Sequence, residues 1–132
     1  MIRVILSLVL FVSFAVYASN DSFLSIDPDI PNEAEIFFPN DDDTFPEKSD
    51  FKIISYIAMS SDDGERQALV TLENLSVGTR LFKNEQILGL FADGRRRTPL
   101  EKNMRFDGRE VASVILSFGV SRFPLLNVYT AR

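Results

Sequence analysis

The sequence predicts a mainly β protein, namely a small antiparallel β-sandwich or barrel of roughly five to six strands with at most one short helix. Three observations support this fold class. Short runs rich in branched and aromatic residues recur from Phe51 to the end of the chain, and turn-forming residues separate them. The stretch before Phe51 is instead acidic and rich in proline, which predicts a disordered tether ahead of the β domain.

Residues 1–18 have the composition of a secretory signal. Arg3 is followed by a short apolar run that ends in Val-Tyr-Ala. A positive start, an apolar middle and small residues at the exit form a signal peptide. The run is shorter than the roughly 20 residues that a membrane-spanning helix needs. We expect cleavage between Ala18 and Ser19 and a periplasmic or secreted protein, with an uncleaved anchor as the alternative.

The chain contains no cysteine and no histidine. An exported domain without cysteine cannot be stabilised by disulfides, and its leader offers no residue for lipid attachment. Thiolate and imidazole zinc sites, and nucleophiles of the Cys-His or Ser-His type, also lack their usual residues. The spacing of the acidic residues selects no catalytic pair. We therefore expect a protein that is not an enzyme and that has no metal site and no cofactor.

Residues 19–50 form the predicted tether. They contain ten acidic residues and one lysine, whereas residues 51–132 contain nine acidic residues and twelve lysines or arginines. Four prolines in the tether are too closely spaced for a helix or a central strand. The apolar group Ile36, Phe37 and Phe38 interrupts the acidic stretch. It either packs on the protein's own domain or adds as a strand to the sheet edge of a partner.

The predicted domain, residues 51–132, begins with an antiparallel hairpin. The run from Phe51 to Met59 has the composition of a strand, and the polar residues from Ser60 to Glu65 form a turn. Arg66 to Glu73 supplies the second strand. Residues 75–91 supply a third strand region, which we expect to be kinked at a glycine.

A turn that carries Arg95, Arg96 and Arg97 follows. Because an exported protein with a pI near 4.7 seldom meets nucleic acid, we expect these arginines to be solvated or to contact an acidic partner or anionic lipid headgroups. Another alternative is that the acidic tether of the same chain folds back onto these arginines. Nucleic-acid binding is therefore not expected.

The last third of the chain contains one predicted helix. Thr98 at the N-cap, proline after it and glutamate three residues after the cap predict a helix start, and Gly108 ends it. Residues 109–116 have apolar residues at helical spacing, but their branched composition favours a strand. Residues 120–129 form the last strand, with a proline that indicates an edge or a bulge.

The strand IISYIA at 53–58 leads through a polar loop to QALV at 67–70, and GREVASVI at 108–115 precedes FPLL at 123–126. This layout resembles the periplasmic homology region of type II secretion protein C and the related PilP-type pilus assembly proteins. The resemblance implies a compact β domain that acts as a scaffold and contacts the periplasmic domain of a secretin.

An OB-like barrel is the alternative fold. Its order of three strands, a helix and two strands fits the chain if the helix from Thr98 is present. Such a domain would bind a small ligand, a cation or an oligosaccharide. The presence of that helix therefore distinguishes the two folds.

We expect an exported adaptor or scaffold of a bacterial envelope assembly, either a type IV pilus or a type II secretion system. Its partner would be a secretin or an inner-membrane component, and no membrane span would remain after cleavage. The alternative is a soluble periplasmic module that binds a ligand, inhibits an enzyme or confers immunity. The residues expected to contact a partner are Arg95, Arg96, Arg97, Ile36, Phe37 and Phe38.

Overall fold

A computed structural model describes residues 23–29, 38 and 44–131. The strands of this part of the chain are β1 Leu24–Ile26, β2 Phe51–Ser61, β3 Glu65–Asn74, β4 Arg80–Lys83, β5 Ile87–Phe91, β6 Arg96–Arg97, β7 Asn103–Phe106, β8 Val111–Val120 and β9 Leu125–Thr130. They form three antiparallel sheets, with the strand orders β1-β2-β3-β8, β4-β7 and β6-β5-β9. The predicted fold class is confirmed, since the structure is mainly β and consistent with a small β-sandwich.

The four-stranded sheet is built on the predicted hairpin. β2 and β3 pair antiparallel, and the turn between them ends at Gly64, whose φ of 82° is a conformation that glycine adopts without strain. The register shifts between Ile53 and Ser55, so that Ile54 forms a bulge in β2. β8 then pairs antiparallel with the other side of β3. The strand prediction for residues 109–116 is therefore confirmed, because β8 begins at Val111.

The predicted third strand region is divided into β4 and β5. A single 3-10 turn, Asn84–Gln86, separates them, and the Gln86 side chain accepts a hydrogen bond from the Lys83 backbone at 3.0 Å. β4 pairs with β7, whereas β5 pairs with β6 and β9. The region therefore supplies strands to two different sheets.

The predicted helix from Thr98 is wrong. Residues 98–102 belong to no helix or strand, and residues 103–106 form β7. In a helix capped by Thr98, the Leu100 amide would bond within the first turn, but here it donates to the Ser117 carbonyl oxygen at 2.7 Å. Phe106 is fully buried in β7. Tertiary contacts thus override the local capping signal, and the described residues do not have the OB-like order.

The last strand is shorter than predicted. β9 covers Leu125–Thr130, and Pro124 lies before the strand instead of within it. The Pro124 carbonyl oxygen accepts a hydrogen bond from the Ala92 amide at 3.0 Å. Proline therefore stands where it can accept a hydrogen bond without having to donate one to a strand ladder.

Parts of the predicted tether are ordered. β1 pairs with residues 59–61 of β2, and Ser60 donates to the Asp27 carboxylate at 2.7 Å. The Glu47 amide donates to the Glu85 carbonyl oxygen, and Pro46 is buried. The structure differs at these positions from the predicted disordered tether. Strand pairing and burial offset the conformational entropy that these residues lose when they become ordered. Residues 30–37 and 39–43 lie outside the described residues.

Three phenylalanines connect the four-stranded sheet to the β4-β7 pair. The Phe51 ring of β2 lies 5.6 Å from the Phe82 ring of β4 and 5.0 Å from the Phe106 ring of β7, both in edge-to-face geometry. All three side chains are buried. On the other side of the core, Gly89 leaves room for the Phe118 ring, since a Cβ atom at this glycine would lie 2.7 Å from it.

We predict that Phe106→Ala lowers the free energy of unfolding by about 3–5 kcal/mol, because it removes a buried ring and leaves a cavity between two sheets. Urea unfolding followed by circular dichroism measures the change. Phe45→Ala is the matched control, since Phe45 is exposed and its loss should cost within about 0.5 kcal/mol. Equal losses for the two variants would show that the β4-β7 pair does not depend on this contact.

Candidate partner-binding surface

An apolar row crosses the outer face of the four-stranded sheet. The core side chains of β3 are Ala68, Val70 and Leu72, and because side chains alternate along a strand, Leu69 points to the opposite face. Leu69 lies directly between Ile57 of β2 and Ile115 of β8 in the strand register. Residues directly opposite each other share a face. These three side chains therefore form one row on the outer face.

The apolar row is accessible to solvent. Ile57 is 39% exposed and Ile115 is 55% exposed, while Leu69 between them is half-buried. β1 enlarges the patch, because Ile26 lies opposite Met59, and Met59 shares the face of Ile57. We define the apolar surface as Ile26, Met59, Ile57, Leu69 and Ile115. A contiguous exposed patch of this kind is typical of a site that another protein covers.

Polar residues border the apolar surface on two sides. On one side, Ser55, Thr71 and Ser113 form the next cross-strand row, and the Thr71 and Ser113 hydroxyl oxygens are 2.8 Å apart. On the other side, the Gln67 side-chain amide donates to the Glu65 carboxylate at 2.7 Å. An apolar centre with a polar rim is the usual anatomy of a protein interface.

The three arginines predicted to contact a partner lie in and beside β6, at the edge of the β6-β5-β9 sheet. Arg95 is exposed and pairs with Asp93 at 3.5 Å. The Arg97 guanidinium lies 4.9 Å from the centre of the Phe91 ring and donates to the Val120 carbonyl oxygen at 3.2 Å. Arg96 lies in the same strand and is half-buried. Arg97 thus contacts the rest of the domain, Arg95 is mostly exposed, and the role of both in partner binding stays a prediction.

Phe38 lies against the turn that precedes these arginines. A Cβ atom at Gly94 would be 2.8 Å from the Phe38 ring, and Gly94 has a φ of 81°. The structure therefore brings Phe38 and the arginine turn together, as expected if the apolar group packs on its own domain. Two other predicted contact residues, Ile36 and Phe37, lie outside the described residues, as does the predicted cleavage site at Ala18 and Ser19.

A groove of about 630 Å³ separates β2 from β9. Tyr56 lines this groove, and its hydroxyl donates to the Leu126 carbonyl oxygen at 3.4 Å and to the Asn127 side chain at 3.3 Å. Burial raises the pKa of this hydroxyl above its ordinary value of 10.0. A hydrogen bond from the Val128 backbone lowers the pKa in part, and the charge of Asp29 raises it. Tyr56 thus ties together two sheets that share no strand pairing.

Within the described ranges, no cluster of three or more acidic side chains is arranged to hold a metal ion. That part of the chain also contains no helix of the length and hydropathy needed to span a membrane. No protein-family model, no curated protein and no solved structure matches this chain.

Sequence reasoning missed the apolar surface. Residues 66–73 are predicted as a strand, but Ile57, Leu69 and Ile115 come from distant parts of the sequence and meet only through strand register. The one available signal was the presence of large apolar residues at the outward positions of three predicted strands.

We predict that the free energy of unfolding falls as the pH rises above 10, because Tyr56 has a raised pKa in the folded protein and ionises more readily in the unfolded chain. The contribution of Tyr56 to the free energy of unfolding is fully present below pH 10. It is lost as the pH rises through the raised pKa that Tyr56 has in the folded protein. Urea unfolding across this pH range measures the effect.

The Tyr56→Phe variant is the comparison for this prediction. It should lose up to about 1 kcal/mol at neutral pH, since the hydrogen bonds to β9 are removed. Its stability should then depend less steeply on pH above 10 than that of the wild-type protein. Identical pH slopes for the two proteins would contradict the role given to Tyr56.

Proposed function

We propose that this protein is an exported, non-enzymatic adaptor that holds a partner protein of the bacterial envelope against the apolar surface. The observation that carries this proposal is the cross-strand row of Ile57, Leu69 and Ile115, exposed on the outer face of a sheet. Burial of these side chains against a partner would remove apolar area from water at roughly 25 cal/mol per Å². The polar rows at both sides would then set the orientation of the partner.

The leader-like composition of residues 1–18 supports an envelope location. The resemblance of the domain to secretion protein C and PilP-type proteins supports a secretin, or an inner-membrane component of a pilus or secretion system, as the partner. In this proposal Arg95, Arg96 and Arg97 lie on another sheet and would act as a secondary contact.

We predict that Ile57→Asp weakens capture of the partner about tenfold or more, because a carboxylate at the centre of the apolar surface would be desolvated on binding. The measurement is co-purification of the secretin or the inner-membrane component with the full chain from the native envelope. Val77→Asp is the matched control, since Val77 is exposed and lies in a loop outside the strands. Equal capture by both variants would exclude the apolar surface as the binding site.

We also predict that the protein isolated from the envelope fraction begins at Ser19. The apolar run before Ala18 is too short to span a bilayer, and small residues precede the cleavage site. N-terminal sequencing of the isolated protein provides the measurement. A chain that retains Met1 and fractionates with the cytoplasm would contradict the proposed location.

The groove between β2 and β9 favours a second candidate function, a soluble ligand-binding module. Its volume of about 630 Å³ is within the usual range for small-molecule sites. A screen of sugars and cations by thermal unfolding tests this function. A ligand that raises the Tm of the wild-type protein but not that of Ile54→Trp would favour the module, because Ile54 lines the groove.

A further inference from the structure

The backbone groups of β8 alternate between the two sides of the strand. The Asn74 amide donates to the Glu110 carbonyl oxygen at 2.9 Å, which continues the ladder that joins β3 to β8. Even-numbered residues of β8 therefore direct their N–H and C=O groups toward β3, and odd-numbered residues direct theirs to the outer edge. The Ser117 carbonyl oxygen agrees with this alternation, since it accepts the Leu100 amide from the outer side.

Three consecutive outer positions of β8 have no strand partner within the described part of the chain. They are Val111, Ser113 and Ile115, and the next outer position, Ser117, is the one that binds the Leu100 amide. Val111 is 54% exposed and Ile115 is 55% exposed. The open edge therefore offers three N–H groups and three C=O groups. The side chains of these three positions on the outer face are valine, serine and isoleucine.

β8 lacks the features that normally prevent an edge strand from pairing with another chain. Natural edges are short, charged or interrupted by proline. Two of the other sheet edges follow this rule, since β1 has three residues and β6 consists of two arginines. β8 has ten residues, VASVILSFGV, without a charge or a proline. Its composition thus permits strand addition without like-charge repulsion.

We propose that β8 pairs antiparallel with β8 of a second copy of this chain, about a two-fold axis at Ser113. In this register Ser113 lies opposite Ser113 of the second copy, and Val111 lies opposite Ile115. Every open N–H and C=O group finds a partner, because each of these pairs exchanges two hydrogen bonds. Apolar residues face apolar residues and serine faces serine, which is the self-complementary pattern that a two-fold interface requires.

The contact of Leu100 selects this register. An axis at Ile115 would place Ser113 opposite Ser117, whose carbonyl oxygen already accepts the Leu100 amide. An axis at Val114 would bring Ser117 opposite Val111 and meet the same obstacle. Only the axis at Ser113 pairs all three open positions, 111, 113 and 115, with one another. The absence of charge along β8 makes a second copy an acceptable partner, since no like charges come into register.

Pairing of two copies would produce one continuous sheet. The two-fold axis is perpendicular to the sheet, so both apolar surfaces lie on the same face. Ile115 of one copy then adjoins Val111 of the other, which lengthens the apolar row. Dimerisation does not depend on the adaptor function, but it would present two copies of the binding surface to a partner.

Cysteine cross-linking tests the register directly, because the chain contains no cysteine of its own. Ser113→Cys should form a disulfide-linked dimer under mild oxidation, since opposed residues in a hydrogen-bonded pair have Cα atoms about 5.5 Å apart. Val111→Cys and Ile115→Cys should each remain monomeric on a denaturing gel, whereas a mixture of the two should cross-link. Cross-linking of Ile115→Cys alone, or none in Ser113→Cys, would overturn the proposal.

Sedimentation equilibrium of the full chain provides the second measurement. The wild-type protein should dimerise reversibly, and Ser113→Lys should raise the dimer Kd about fivefold or more, because two lysines would face each other. Ser55→Lys is the matched control, since Ser55 belongs to the same cross-strand row but lies on β2, away from the β8 edge. Its Kd should be unchanged. A monomer at every concentration would overturn the proposal. It would do so even if β8 were then found to pair with a strand of a different protein.

Different variants test the proposed adaptor function and the proposed dimer, so either proposal can be contradicted while the other stands. Ile57→Asp should weaken partner capture and leave the dimer Kd unchanged, because Ile57 is not on the edge of β8. Ser113→Lys should dissociate the dimer, and Ser55→Lys, which places the same charge in the same polar row, measures any effect of that row on partner capture. Unchanged melting curves for both variants, followed by circular dichroism, show that each still folds.

Discussion

Burial of apolar side chains in one shared core is the constraint on which the arrangement of the three sheets depends. No strand pairing joins the three sheets in the described part of the chain, and no cysteine is available to link them. The β4-β7 pair is held to the four-stranded sheet by buried rings in edge-to-face contact. Two strands alone are marginally stable in water. Burial of apolar side chains therefore determines where this pair lies.

The same packing produces the proposed binding surface. Ala68, Val70 and Leu72 of β3 point into the core. Because side chains alternate along a strand, the residues between them point to the outer face. Leu69 then lies between isoleucines from both neighbouring strands, and together they form an apolar row on the outer face of the sheet. The function proposed for this protein thus uses side chains that the described part of the chain leaves on the outer face.

Hydrogen bonding and packing act on different parts of β8. Its even-numbered residues complete the ladder with β3 and direct Val114, Leu116 and Phe118 into the core. Its odd-numbered residues face solvent, and up to Ser117, where Leu100 binds, their backbone groups have no strand partner among the described residues. An edge without charge is tolerated when another strand covers it. Stability within one copy and association between copies are therefore linked through the alternation of a single strand.

The sequence by itself determined the mainly β class, the β2-β3 hairpin and the strand at β8, because alternation and turn composition are local properties of the chain. It misassigned the segment from Thr98, since the capping signal there is local whereas Leu100 and Phe106 are fixed by distant residues. Only the tertiary structure decided that the apolar row exists and that the arginine turn contacts Phe38. Both depend on strand register and chain packing, which bring together residues that no local pattern relates.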